Sequence, residues 1–226
     1  MSALSFPRRR PRTRLWLAEP EAMVEPAPRP LRVGLLGGSF NPAHEGHLHV
    51  SAEALRRLGL DQLWWLVTPR NPLKPPEELA PYGRRLARAR EMAARHPRIR
   101  VCDLEARLGT RYTVELLRRL VRDRRRRFVW IVGADNLAGL HRWYRWPELF
   151  RLVPVAVFDR IPYSHVALAS PAARRFAEAR IGEKEARRLA ALPPPRWVFV
   201  RLRPHPASGT AIRAAWRRMG RDWSRE

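Results

Sequence analysis

Short apolar segments alternate along this chain with segments in which apolar residues recur at helical spacing. The apolar segments predict strands at 31–38, 61–69, 99–104, 127–136, 153–160 and 196–202. Helical periodicity predicts helices at 46–58, within 78–96, within 110–123, around 171–191 and at 210–220. Thr110 or Thr113 is the expected cap of the third helix. Strands that alternate with helices form a mainly parallel sheet covered on both faces, so the pattern predicts a doubly wound α/β fold.

Such a sheet also indicates where a ligand binds. Ligands of open parallel sheets bind beyond the carboxyl ends of the strands, near the point where the strand order reverses. This rule selects the residues just after Gly37, near Thr68, after Val132 and after Leu202, where predicted strands end. We therefore expect the functional residues at these places.

The composition divides the chain into three parts. Residues 1–30 are rich in proline and arginine and predict a disordered leader, residues 31–220 predict a single domain, and residues 221–226 form a tail. No run of about 18 apolar residues occurs, so no membrane-spanning helix is expected. The single cysteine, Cys102, excludes a disulfide framework within the chain and favours a reducing, cytoplasmic location.

The formal net charge of +24 raises the question of a nucleic-acid partner. All 45 basic residues except Lys74 and Lys184 are arginines, and they are scattered along the chain. The densest run, at 122–127, is typical of a solvated helix end, and no RNA-recognition signature or zinc-finger spacing appears. A nucleic-acid partner is therefore not expected, whereas a basic chain suits an acidic small substrate such as a nucleotide.

The segment GLLGGSFNPAHEGHLHV combines a glycine turn with closely spaced histidines. Gly37 and Gly38 end the first strand and let backbone N–H groups approach a bulky anion. His44 and His47 flank the start of the next helix, where imidazole N–H groups can donate to phosphate oxygens. The spacing is not the H-E-x-x-H of zinc proteases, the G-x-G-x-x-G of dinucleotide sites or a Walker loop. His49 projects from a different side of the helix, and we assign it no role.

A second motif, HPASGTAIRAAW at 205–216, follows the last predicted strand. Ser208 and Thr210 are natural N-cap residues, and Arg213 lies on the same side of the first helical turn as Thr210. Hydroxyl groups, free backbone N–H groups and a guanidinium would then converge on one anion.

With these two motifs, the chain resembles the nucleotidyltransferases related to class I aminoacyl-tRNA synthetases. GGSFNPAHEGH resembles their signature G-x-F-[DN]-P-x-H/T-x-G-H, and the second motif resembles their I-S-S-T-x-I-R, departing from it at Ala207 and Gly209. The resemblance implies a Rossmann-like nucleotidyltransferase fold in which both motifs bind ATP. The ATP-binding residues that it implies are Gly37, Gly38, Ser39, Phe40, His44, His47, Asp135, Ser208, Thr210 and Arg213. Among them, His44, His47 and Arg213 are the implied catalytic residues.

The middle of the chain resembles the bacterial branch that adenylates nicotinate mononucleotide. The matching segments are TPRNPLKP (68–75), RYTVELL (111–117), VGADN (132–136), LHRWYRWPEL (140–149) and DRIP (159–162). The mononucleotide-binding residues that the resemblance implies are Lys74, Tyr112, Thr113, Trp143, Tyr144 and Arg160. In this branch, the backbone at Thr113 binds the pyridine carboxylate, Trp143 stacks on the ring and Tyr144 helps to hold the carboxylate. Asp135 would lie near the nucleotide ribose, whereas helical spacing favours a core position for Trp146.

The resemblance implies transfer of the adenylyl group of ATP to nicotinate mononucleotide. Mg²⁺ is expected to accompany ATP and to keep several waters, so no residue is assigned as a dedicated metal ligand. Two alternatives stay open: another acceptor, such as nicotinamide mononucleotide, phosphopantetheine or an alcohol phosphate in a cytidylyl transfer, or a basic nucleic-acid-binding protein without catalysis. The sequence also leaves open whether the chain forms a homo-oligomer.

Overall fold

The computed structural model describes residues 29–70, 79–160 and 162–220. The predicted tail, Lys74 and nearly all of the predicted leader lie outside these residues. The strands of the described part are β1 (Leu31–Gly38), β2 (Gln62–Val67), β3 (Ile99–Cys102), β4 (Arg126–Gly133), β5 (Val155–Phe158), β6 (Arg180–Ile181) and β7 (Trp197–Val200). Its α-helices are α1 (Glu45–Arg57), α2 (Tyr82–Ala93), α3 (Leu104–Leu108), α4 (Thr113–Leu120), α5 (Ala134–Gly139), α6 (Trp146–Leu152), α7 (Ser164–Leu168), α8 (Pro171–Arg175) and α9 (Gly209–Arg218).

These strands form one parallel sheet in the order β3-β2-β1-β4-β5-β7-β6. The order reverses between β1 and β4, which are aligned so that Leu35 is paired with Trp130 and Leu36 with Ile131. Beyond the carboxyl ends of these two strands the connections diverge to opposite sides and leave a crevice. The predicted doubly wound α/β fold is confirmed.

The core lies in two layers, one on each face of the sheet. In β4 the side chains alternate, so that Val129 and Ile131 join one layer while Phe128, Trp130 and Val132 join the other. Helices α1 and α2 cover the first layer, and helices α4, α5, α6 and α8 cover the second. Within the described residues, no helix combines the length and the apolarity that crossing a membrane requires.

Predictions of local structure are wrong at 171–191 and at 122–127. The single helix expected around 171–191 is instead α8, a 3-10 turn at Ala177–Ala179, strand β6 and a 3-10 helix at Glu183–Ala191. Pairing of Arg180 and Ile181 with β7 overrides the helical periodicity there. The arginine run at 122–127 is solvated as expected, but α4 ends at Leu120 and the run leads into β4 rather than ending a helix.

Gly37, near the end of β1, gives the first test, because a Cβ atom there would lie 2.6 Å from Cη2 of the buried Trp130 ring. We expect Gly37→Ala to lower the free energy of unfolding by about 1–3 kcal/mol through overpacking of this rigid ring. Urea denaturation measures the change. The matched control is Gly83→Ala in α2, where a Cβ atom meets nothing within 4 Å and removal of glycine should be neutral or stabilising. Equal stability of the two variants would contradict the packing argument.

Candidate active site

A cavity of about 1040 Å³ lies at the carboxyl ends of the strands. Its lining includes Gly37, Thr68, Gly133 and Leu202, so residues at or next to all four predicted places face it. The volume is at the upper end of the range for small-molecule pockets, about 300–1,000 Å³. The place that the sequence predicts for a ligand therefore coincides with this cavity.

His44 and His47 lie side by side at the start of α1, with ring centroids 3.9 Å apart. His44 is the N-cap, with φ −150° and ψ 168°, and its Nδ1 accepts the N–H of Gly46 at 3.1 Å. The backbone N–H of His44 donates in turn to Nδ1 of His47 at 3.2 Å. Because both Nδ1 atoms accept, each neutral ring carries its proton on Nε2. The helix start thus holds two Nε2–H donors in fixed tautomers.

Burial keeps both imidazoles uncharged. Desolvation lowers the pKa of His44 to about 4, helped by the nearby charges of Arg160 and His205. Desolvation, followed by the charge of His44, also holds the pKa of His47 well below its ordinary value. In the free protein at neutral pH, both rings are therefore donors without a net charge.

Two buried aromatic residues and a serine pack against His47. Phe40, at φ 47°, places its ring 4.6 Å from the His47 ring and stacks on Trp65 at 5.0 Å. Ser51 Oγ donates to the His47 carbonyl at 2.7 Å and accepts the indole N–H of Trp65 at 2.8 Å. Phe40 and Trp65 are almost fully buried, so packing as well as hydrogen bonds holds the His47 ring in position.

The second motif docks against the first. Ser208 is the N-cap of α9, and its Oγ accepts the N–H of Ala211 at 3.1 Å. Arg213 Nη1 donates to the Asn41 carbonyl at 2.6 Å, which joins α9 to the turn before His44. A Cβ atom on Gly209 would lie 3.2 Å from Arg213 Nη1 and 3.3 Å from the Asn41 oxygen. Glycine at this position therefore accommodates the contact between the two motifs.

The first-motif glycine at 46 has a similar role. A Cβ atom on Gly46 would lie 2.8 Å from the Ala207 carbonyl oxygen. Only a residue without a side chain lets α1 and the segment before α9 approach this closely. All the implied ATP-binding residues line the cavity: Gly37, Gly38, Ser39, Phe40, His44, His47, Asp135, Ser208, Thr210 and Arg213.

Aromatic residues line another part of the cavity, around the start of α4. Tyr112 and Tyr144 stack with ring centroids 4.4 Å apart, and Trp143 also lines the cavity while packing against the second core layer. The N-cap of α4 is Tyr112, not Thr110 or Thr113, because the Glu115 carboxylate accepts the backbone N–H groups that precede the helix. Thr113, the first helical residue, has a backbone N–H without an intrahelical partner.

Of the remaining predicted residues, Arg160 lines the cavity and Lys74 lies outside the described residues. Arg160 and Asp135 line the cavity and bind each other, with Arg160 Nη1 2.9 Å from Asp135 Oδ2. The other carboxylate oxygen, Asp135 Oδ1, is buried without a hydrogen-bond partner from the described residues. Trp146 packs against the second core layer, as expected, and also reaches the cavity wall.

Comparison with known proteins gives the family. Residues 35–215 match the family described as Cytidylyltransferase-like. A Cereibacter sphaeroides protein named "Probable nicotinate-nucleotide adenylyltransferase" is 53% identical over 191 residues, which are 83% of this chain and 99% of that protein. A Rhizobium meliloti protein of the same name is 49% identical and covers 82% of this chain and 98% of its own.

The chain belongs to the nicotinate-nucleotide adenylyltransferase family. The resemblance that the motifs indicated is thereby confirmed, and so is the prediction of a nucleotidyltransferase enzyme. Among solved structures, Plasmodium falciparum nicotinic acid mononucleotide adenylyltransferase complexed with NaAD aligns with a TM-score of 0.61. It covers 81% of this chain and 83% of its own at 14% identity, which shows a shared fold.

Sequence reasoning missed Arg85, which supports the site in this family member. Its guanidinium, in a side chain with 1% exposure, donates to four backbone carbonyls. Nη1 binds the carbonyls of Ser39 (2.6 Å) and Thr68 (2.8 Å), Nη2 binds Pro69 (2.7 Å) and Nε binds Ala80 (2.9 Å). The available signal was its place in α2, adjacent to a buried leucine on the side that faces the core.

Two other residues that line the cavity were also missed, Glu105 and His205. Burial raises the pKa of Glu105 to about 7, while a hydrogen bond to Thr68 acts in the opposite direction. No local pattern in the sequence singles out Glu105. His205 is the first residue of the second motif, HPASGTAIRAAW, in which only Ser208, Thr210 and Arg213 are assigned roles.

Arg85→Lys tests the support beneath the site. An ammonium cannot reproduce the planar fork that binds several carbonyls, so we expect the free energy of unfolding to fall by about 2–4 kcal/mol. Chemical denaturation measures this change. Arg88→Lys, on the exposed side of α2, is the matched control and should change stability by less than about 0.5 kcal/mol. A loss no larger than that of the control would show that the four hydrogen bonds contribute little.

The buried histidines predict a pH dependence of stability. Below a pH of about 6.5 the unfolded chain takes up protons at both sites. In the folded protein, burial lowers the pKa of His44 to about 4 and holds the pKa of His47 well below its ordinary value. Their contribution to the free energy of unfolding therefore falls as the pH falls from about 6.5 toward 4. Glu105, with its raised pKa, contributes the opposite slope.

Comparison with a variant isolates the histidine contribution. Between pH 7 and pH 5, wild-type protein should lose more unfolding free energy than His47→Gln, in which the Glu105 contribution is unchanged. Urea midpoints at several pH values measure the difference. His165→Gln, which changes an exposed histidine in α7, should keep the wild-type slope. Parallel pH profiles for wild type and His47→Gln would refute the argument.

Proposed function

We propose that the chain transfers the adenylyl group of ATP to nicotinate mononucleotide, releasing pyrophosphate and nicotinate adenine dinucleotide in NAD biosynthesis. The observation that carries the proposal is one cavity that joins two unlike surfaces. One surface presents phosphate donors from the two motifs, and the other presents stacked aromatic rings beside a helix start. The names of the relatives at 53% and 49% identity support the same reaction.

The phosphate surface suits charge neutralisation rather than covalent catalysis. The mononucleotide 5′-phosphate is already anionic at neutral pH and attacks the α-phosphorus of ATP in line, so no protein nucleophile is needed. The Nε2–H groups of His44 and His47 donate to phosphate oxygens as the bond to pyrophosphate breaks. Ser208, Thr210 and Arg213 hold the leaving group at the start of α9.

Mg²⁺ is supplied with ATP in this proposal. The described residues contain no group of three or more His, Cys, Asp or Glu side chains arranged to hold a metal. When bound with ATP, Mg²⁺ would offset phosphate charge. Asp135 Oδ1, a buried acceptor without a partner from the described residues, suits a ribose hydroxyl.

The aromatic surface suits a pyridine ring that bears a carboxylate. Trp143 and the exposed face of Tyr144 offer ring contacts worth about 0.5–1.5 kcal/mol beyond buried area. The free N–H of Thr113 at the positive end of α4 favours an anionic carboxylate over a neutral amide. Tyr112 supports Tyr144 by stacking, and Arg160 adds positive charge nearby. A role for Lys74 stays a prediction, as do a cytoplasmic location and the absence of a nucleic-acid partner.

An acceptor assay tests the reaction. Purified protein is mixed with Mg-ATP and, separately, nicotinate mononucleotide, nicotinamide mononucleotide or phosphopantetheine, and pyrophosphate release is measured. We expect release with the nicotinate compound to exceed release with the other two by at least about tenfold, because the carboxylate meets the N–H groups of α4. Preference for another acceptor would refute the assigned substrate. Silence with all three, combined with salt-sensitive binding of RNA or DNA, would favour the nucleic-acid alternative.

His47→Ala tests the proposed catalytic role. Loss of a preorganised donor to the reacting phosphates should lower kcat by about 10²–10³-fold. The matched control is His96→Ala, which lies just before β3 at the amino end of the sheet and should keep wild-type kcat. Circular dichroism verifies that both variants are folded. Wild-type turnover by folded His47→Ala would contradict the mechanism.

A further inference from the structure

His205 reaches the cavity from the segment between β7 and α9. Its Nδ1 accepts the backbone N–H of Ala207 at 3.2 Å, which leaves the proton of the neutral ring on Nε2. The described residues give this Nε2 no hydrogen-bond partner. His205 is thus held in the same tautomer as His44 and His47, with its donor free.

A neighbouring histidine lies beside the His205 ring. The ring of His49 lies 5.4 Å from it, and His49 Nε2 lies 3.1 Å from the Arg203 carbonyl oxygen. Arg57, at the end of α1, donates from Nη1 to the Arg201 carbonyl at 3.0 Å. The helix that carries His44 and His47 is therefore attached along its length to the segment that carries His205. His49, which has no other assigned role, is one of these attachments.

His205 lies near the two groups of proposed phosphate donors, the one at His44 and the one at Ser208. His205 is close enough to His44 that its charge, when it is protonated, contributes to the lowered pKa of His44. It precedes Ser208 by three residues, and the next position, Gly209, offers no hydroxyl group. His205, Ser208 and Gly209 all line the cavity, so His205 offers a side-chain donor beside the start of α9.

We propose that His205 donates through Nε2 to the β- and γ-phosphates of ATP, with His49 as the residue that positions its ring. The inference rests on the proposed function for the identity of the nucleotide. Because AMP has no β- or γ-phosphate, its affinity should not depend on His205.

Direct binding tests this contact without turnover. Calorimetry at pH 7.5 with Mg²⁺ measures the Kd of an unreactive ATP analogue with a methylene bridge between the α- and β-phosphates, and the Kd of AMP and of nicotinate mononucleotide. We expect His205→Ala to weaken the analogue by about tenfold, as for loss of a hydrogen bond to a charged acceptor. AMP and nicotinate mononucleotide should bind as they do to the wild type.

Further variants separate a phosphate contact from a structural effect. His205→Gln keeps an N–H donor and should retain the analogue affinity within about threefold. His49→Ala should lower the affinity for the analogue by less than His205→Ala does, and it should leave the affinity for AMP unchanged. His96→Ala, remote from the cavity, should change none of the affinities.

The outcomes are distinct. Unchanged analogue affinity in His205→Ala would overturn the proposal, and so would an equal loss of AMP affinity, which would indicate a contact to the adenosine side or a distorted loop. Wild-type protein that binds the analogue with the expected His205 dependence but transfers nothing to nicotinate mononucleotide would refute the proposed function alone. Wild-type protein that does not bind the analogue would refute both.

Discussion

The candidate active site depends on one buried guanidinium. Arg85 collects the carbonyls of three separate chain segments, one after β1, one after β2 and one before α2. Burial of a charge is costly unless hydrogen bonds replace the lost water, and here backbone oxygens replace it. The turn that leads to His44 and the end of β2 are thereby held at a fixed separation. The positions of His44 and His47 therefore depend on the hydrogen bonds of Arg85.

Close backbone approach is the second constraint on the site. Asn41 and Arg213 are separated by 172 positions in sequence, yet one hydrogen bond joins them. Gly46, in α1, faces the segment before α9, and Gly209, in α9, faces the turn before α1. In both places a Cβ atom would crowd a backbone oxygen. The two motifs are therefore one structural unit. Glycine at 209 allows the contact between them, although it offers no hydroxyl group.

The sequence predicted the fold class and the place of the site because both depend on local signals. Apolar segments and strand ends are readable along the chain, and the two motifs keep their residue types in fixed order. The four carbonyl partners of Arg85 were not predictable, since they come from segments that meet only in the folded chain. The cap of α4 was assigned to threonine by propensity, whereas the Glu115 carboxylate makes Tyr112 the cap. Strand β6 was missed because two residues carry no periodicity.

The neutral state of His44 and His47 has a consequence for how the protein responds to acid. A bound triphosphate brings several negative charges to their Nε2 atoms, and such charges favour the imidazolium form. Nucleotide binding and proton uptake are then linked, so that each increases the affinity for the other. In mildly acidic solution the buffer would supply protons as the complex forms. Acidity that weakens the empty fold through these two rings would therefore strengthen its hold on the nucleotide.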